Sequence, residues 1–192
     1  SGVLGDVYKR QGTTGSILDL GSYSSASNLS TLSVTGDSCI NQVELSTVLS
    51  DTNKTTIDFV DDAAELVDMF CYLFGLDEVG LRLRVLHQPM CPKFHVDHVP
   101  CRLITTYCGV ATEWLAHESV DRKKLGLSGA EKSDQESGLY QTERDIQELA
   151  RGEVALMKGE KWRGNKGAGL VHRSPAVAAG EARLLLTLDF SS

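Results

Sequence analysis

The run Ala182-Arg183-Leu184-Leu185-Leu186-Thr187-Leu188-Asp189-Phe190 constrains the fold more than any other stretch of this chain. Successive side chains of a strand point to opposite faces. Leu184, Leu186, Leu188 and Phe190 therefore share one apolar face, and Arg183, Leu185, Thr187 and Asp189 share the other. So apolar a run belongs to a buried strand. An arginine pointing inward from it needs an anionic partner, and a guanidinium can hold a carboxylate with two parallel hydrogen bonds.

Other segments extend the β reading. Leu81, Leu83 and Val85 alternate with Arg82, Arg84 and Leu86, which predicts a strand with one wetter face. Cys101 to Cys108, Glu153 to Lys158 and Leu170 to Ser174 are also strand-like, and Pro175 ends the last of them. Gly159 to Gly169 reads as a Gly- and Lys-rich turn, a solvated basic hairpin near a site mouth, and Gly180 as a hairpin turn before the final strand. Helices are predicted ahead of the strands, chiefly over Asp61 to Phe74 with Gly75 as its stop, and a short one over Glu143 to Ala150. The polar stretch 117–142 reads as an insertion or surface loop. The expectation is a mainly β domain with an α flank, spanning residues 61–192.

Ahead of it, residues 12–60 are poorly defined; up to residue 38 they are rich in Ser, Thr and Gly, with room for one short strand. Residues 1–11 carry Gly5-Asp6-Val7-Tyr8-Lys9-Arg10-Gln11, which reads as translated sequencing adapter, so they are set outside the fold and the natural start is expected to be missing. The formal net charge of −7 argues against a nucleic-acid or anionic-membrane partner. No apolar run approaches the roughly 20 residues needed to span a bilayer. The five cysteines, an odd number in a chain long enough to build its own core, predict reduced thiols and a cytoplasmic setting.

The chemistry centres on Phe94-His95-Val96-Asp97-His98. On a strand, His95 and Asp97 point the same way and offer one imidazole and one carboxylate to a common cavity. His172, in Gly169-Leu170-Val171-His172-Arg173-Ser174-Pro175, is the best third ligand. Two histidines and one carboxylate form the facial triad of non-haem Fe(II) oxygenases, which leaves positions open for cosubstrate and dioxygen. Arg183 follows His172 by eleven residues, and a bound dicarboxylate would supply the anion it needs.

His-x-Asp, a distant strand His and an Arg beyond it resemble the Fe(II)- and 2-oxoglutarate-dependent dioxygenases, most closely their prolyl-hydroxylase-like branch. There, His-x-Asp leads into an Arg- and Thr-bearing strand ending in Tyr, with a Trp soon after; here Arg102, Thr105, Thr106, Tyr107 and Trp114 follow in that order. More narrowly, Cys91-Pro92-Lys93-Phe94-His95, Thr106-Tyr107-Cys108-Gly109 and His172-Arg173-Ser174-Pro175 resemble an uncharacterised, mainly bacterial domain-of-unknown-function family over roughly residues 60–190. The resemblance implies a double-stranded β-helix (a cupin-like jelly roll), Fe(II) on His95, Asp97 and His172, and 2-oxoglutarate held by Arg183 with help from Tyr107 or Thr187. The long polar stretch between the two halves departs from the pattern, and no substrate motif is recognisable.

Two other readings stand beside it. Cys91, His95, His98 and Cys101 fall within eleven residues and zinc takes Cys and His ligands, so a zinc-binding or zinc-handling protein with the same pocket is one. A β-barrel that binds a ligand without metal is the other. His98, which would face away from His95 on a strand, is read as a support for the ligands rather than as one of them.

Overall fold

The computed structural model describes residues 32–35, 54–126 and 132–191, with side chains from residue 61 onward. The expectations for residues 1–31 and 36–53 lie outside the described residues. Within them the chain is mainly β, with two antiparallel sheets and one α-helix. The larger sheet has the order β1 (Leu32–Thr35), β2 (Glu78–Leu86), β8 (Arg183–Phe190), β3 (Cys101–Cys108) and β6 (Val154–Lys158). The smaller has the order β5 (Ile146–Glu148), β4 (Glu113–Leu115) and β7 (Val171–Arg173). The strands divide between two sheets rather than closing into one barrel.

Helix α1 (Lys54–Phe74) covers one face of the larger sheet. Ala63, Leu66, Val67, Phe70 and Cys71 recur at helical spacing and are all buried, against Leu81, Leu83, Leu103, Leu186 and Leu188. Burying each of the larger side chains contributes about 1.5–3 kcal/mol. Gly75 ends the helix at φ 60°, and Leu76 N–H donates to the Cys71 carbonyl at 3.0 Å. That left-handed residue and six-to-one hydrogen bond satisfy a carbonyl that the helix end would orphan.

The opposite face of the larger sheet looks toward the smaller one. Ile104, Ala155, Met157 and Leu185 pack there with Trp114, Leu149 and Leu170. The alternation seen in β8 thus separates two cores: its even residues meet the helix, and Leu185 meets the second sheet. The same holds in β2, where Arg82 ion-pairs with Asp189. The face expected to be wetter is turned toward the second sheet.

Three local expectations are corrected. Gly159–Gly169 and Gly180 do not close hairpins, because β6 and β8 lie in one sheet and β7 in the other; both connections cross between sheets. Glu143 to Ala150 is not a helix. The Asp145 carboxylate accepts the Thr142 N–H at 2.7 Å and supports one 3₁₀ turn, Glu143–Asp145, before Ile146–Glu148 pairs with β4. In the described part of 117–142, which leaves out residues 127–131, Leu139 and Tyr140 are not on the surface but buried against Phe94, Leu115 and Val171 on the outer side of the smaller sheet.

Candidate metal centre

His95 and His172 come together through the backbone. They form an isolated antiparallel bridge, each N–H donating to the other's carbonyl at 3.0 Å. Opposed residues in such a bridge project to the same side, and their ring centroids lie 4.6 Å apart. Asp97, two residues on from His95, turns its carboxylate between them. His95 Nε2 is 3.6 Å from Asp97 Oδ1, and His172 Nε2 is 3.4 Å from Asp97 Oδ2. The ligand-capable atoms of the three residues all lie within 4.8 Å of one another, and this is the one such group of three or more among the described residues.

The chemistry of the donors suits a cation. His95 Nδ1 lies 2.9 Å from the Lys93 carbonyl and His172 Nδ1 lies 3.2 Å from the Leu170 carbonyl. A carbonyl can only accept, so it favours the tautomer with hydrogen on Nδ1 and the lone pair on Nε2. Both Nε2 atoms face Asp97, which makes two neutral nitrogen donors and one anionic oxygen donor. In the metal-free chain the Asp97 carboxylate draws the His95 pKa upward against the opposing effect of burial. Burial would push Asp97 up, yet His172, His95 and Arg102 together hold it well below the usual carboxylate range.

The backbone around this group is braced from three sides. Phe94 N–H donates to buried Asp134 at 2.8 Å, which explains why the polar stretch folds inward. Glu160 N–H donates to the Asp97 carbonyl at 2.9 Å, and Ser174 N–H to the Cys91 carbonyl at 2.9 Å.

Arg183 is almost fully buried, at 1% exposure. Its Nη1 donates to Ser174 Oγ at 2.7 Å, and its Nη2 lies 3.3 Å from Thr112 Oγ1 and 3.5 Å from Thr106 Oγ1. No carboxylate among the described residues pairs with it, its Nε has no hydrogen-bond partner, and burial lowers its pKa. Ser174 lies two residues beyond His172, about 7 Å along an extended chain. Trp114 is the cross-strand neighbour of His172, so it shares that face, and its buried Nε1 also lacks a partner among the described residues. Two buried unsatisfied donors on one inter-sheet space call for an acceptor.

Thr187 shares the inward face of β8, between Ile104 and Arg82 on the flanking strands. Tyr107 lies elsewhere: its ring packs on the helix side, and its hydroxyl donates to Asp62 of α1 at 2.6 Å. Cys101 is buried, and burial pushes its thiol up to about 12 in the metal-free chain. Among the described residues Cys91, Cys101 and Cys108 form no disulfide.

The reading from sequence missed the partners of these groups. Arg102 Nη1 donates to Asp97 Oδ2 at 2.7 Å, while its Nε and Nη2 bind Asp189 at 2.7 and 2.9 Å. Arg82 adds a second cation to Asp189. The alternation of β2, β3 and β8 held the signal, since Arg82, Arg102 and Asp189 are each in phase with the inward residues. Ser174, two residues from His172, was legible in the same way.

The fold and site define a two-sheet β protein with a His-Asp-His group and a buried unpaired guanidinium between its sheets. The chain belongs to the family described as protein of unknown function DUF1826, whose model matches residues 16–189. That match reaches further toward the N-terminus than the resemblance over residues 60–190. No curated protein and no solved structure matched the chain. Among the described residues no helix is long and apolar enough to cross a membrane.

Proposed function

We propose that this chain is a non-haem Fe(II)- and 2-oxoglutarate-dependent oxygenase on a double-stranded β-helix plan. The observation that carries the reading is Arg183: a guanidinium at 1% exposure whose partners are hydroxyls, facing the same inter-sheet space as the His-Asp-His group. A structural arginine so placed would be expected to have a carboxylate partner from the chain. Its lack of one among the described residues, with the free Trp114 Nε1 nearby, suits a bound carboxylate.

In this reading His95, Asp97 and His172 hold Fe(II), and Arg183 takes the distal carboxylate of 2-oxoglutarate, beside Thr187. The bound metal and cosubstrate supply the activation of dioxygen. The chain supplies orientation: the Lys93 and Leu170 carbonyls keep both Nε2 atoms free, and the packed core around Leu185 and Trp114 keeps bulk water from the arginine. His95, with 34% of its side chain exposed against 7% for His172, marks the open side where a substrate would approach. Free thiols suit a reducing, cytosol-like compartment.

The test is anaerobic addition of Fe(II) and then 2-oxoglutarate, watched for a weak visible charge-transfer band. The band is expected in the wild type and lost in Arg183→Met. Tight Zn(II) binding with no response to 2-oxoglutarate would favour the metal-handling alternative. Failure to bind any divalent metal would favour a metal-free ligand-binding protein.

A further inference from the structure

Asp97 sits on irregular backbone, between the His95 bridge and the start of β3 at Cys101. A carboxylate there can rotate, and can give a cation one oxygen or two. Its Oδ2 is already engaged by Arg102 Nη1 at 2.7 Å, whereas Oδ1 faces His95 Nε2 at 3.6 Å. The guanidinium that holds it is itself locked. Arg102 and Asp189 are cross-strand neighbours on β3 and β8, joined by a two-bond fork at 2.7 and 2.9 Å. A fork fixes the plane of the guanidinium, not merely its position. Asp189 is buried at 4% exposure and is held from its other side by Arg82. The series Asp97, Arg102, Asp189, Arg82 thus alternates in charge and ties the loop carboxylate to three strands of the larger sheet.

We propose that Arg102 is the positioning residue of the metal centre, holding Asp97 as a one-oxygen ligand through Oδ1, with Asp189 aiming Arg102. This rests on the metal-site reading above and adds a consequence to it. A carboxylate confined to one oxygen leaves more of the cation's coordination sphere open for cosubstrate and dioxygen. An arginine that served only to pair with Asp189 would not need a third nitrogen on Asp97.

The test uses Co(II) as the metal, followed by visible absorption, in the wild type, Arg102→Gln, Arg102→Lys, Asp189→Asn and the double variant Arg102→Gln/Asp189→Asn. Partners that orient a ligand typically change metal affinity by about 10–100-fold. Arg102→Gln is expected to lose affinity in that range and to alter the Co(II) spectrum. Arg102→Lys is expected not to rescue, because an ammonium cannot fork to Asp189 while reaching Asp97. Asp189→Asn is expected to weaken binding by a smaller factor, and the double variant to match Arg102→Gln, since Asp189 acts through Arg102. If both Arg102 variants fail to fold, Asp189→Asn decides the matter, and unchanged Co(II) affinity in it overturns the proposal. Lowered melting temperatures with wild-type affinity and spectrum would also overturn it, leaving a structural ion pair. If the wild type binds no Co(II), the metal-site reading falls, and this inference with it.

Discussion

His95 and His172 exchange both backbone hydrogen bonds at 3.0 Å, although 77 positions separate them in the chain. This isolated bridge orients both rings before any cation arrives. A pair held by main chain tolerates loss of one ring, because the hydrogen bonds that place the backbone do not involve it.

Divalent metal should therefore raise the melting temperature of the wild type without being needed for folding. A ligand at a hundred times its Kd stabilises by about 2.7 kcal/mol. For a chain of this size that is about 5–11 °C. His95→Ala, which truncates a partly exposed ring, is expected to keep a metal-free melting temperature within a few degrees of wild type and to lose the metal-dependent rise. Scanning calorimetry with and without a chelator measures both.

The metal-free chain should be most stable between about pH 4 and 6.5, the ordinary ranges of Asp and His. Asp97 is held below its unfolded pKa, so its contribution is present above about pH 4 and fades as the carboxylate is protonated in more acid solution. His95 is raised by Asp97, so its contribution is present below about pH 6.5 and is lost as pH climbs through the folded value. Metal needs the neutral imidazole, and its affinity should rise over the same upper range. Denaturant midpoints and Co(II) titrations from pH 4 to 8 should run in opposite directions above pH 6.5; parallel curves would contradict the assignment of His95.

Arg183→Met should separate stability from binding. The wild-type guanidinium is desolvated, and only hydroxyls compensate it. An apolar chain of similar length removes the desolvation cost of a buried charge that no carboxylate compensates. The variant is expected to melt at or above the wild-type temperature and to lose at least tenfold in 2-oxoglutarate affinity. Destabilisation with unchanged 2-oxoglutarate binding would make Arg183 a structural residue.

How much of this was legible follows from what alternation encodes. Period two assigns the faces of β8, so Arg183, Thr187 and Asp189 fall together from the sequence alone. It names no partner across a sheet, so the link from Asp189 to Arg102, 87 residues away, could not be read. The same alternation places Tyr107 away from the site: it is in phase with Leu103, which packs on the helix, and out of phase with Thr106, which faces Arg183. In Glu143 to Ala150 a true local signal, the Thr142–Asp145 turn, was extended too far, because pairing with β4 lies outside the segment.

Tyr107→Phe accordingly should lower stability and leave the site alone. It removes a hydroxyl that donates to the Asp62 carboxylate at 2.6 Å. Hydrogen bonds to charged groups contribute about 1.5–3 kcal/mol. Metal and 2-oxoglutarate affinities are expected to be unchanged, and a loss of cosubstrate affinity with normal stability would return Tyr107 to the site.

Gly159 gives the sharpest test of how the crossover from β6 to β7 supports the metal centre. A Cβ there would stand 2.1 Å from the Val99 carbonyl oxygen and 2.7 Å from that of Asp97. These are backbone atoms, so the strain cannot be relieved by turning a side chain. Gly159→Ala must push residues 97–99 aside, breaking the hydrogen bond from Glu160 N–H to the Asp97 carbonyl. Overpacking of this kind costs about 1–3 kcal/mol. Gly164, in the same crossover, is the control. Its φ of 81° disfavours alanine, but a Cβ there meets nothing within 4 Å, so the cost is local backbone strain of about 1–2 kcal/mol. Both alanine variants are expected to melt below wild type. Only Gly159→Ala is expected to lose metal affinity, because only there does the added methyl displace the backbone that carries Asp97. Equal metal affinity in the two variants would mean that Asp97 is placed by Arg102 alone.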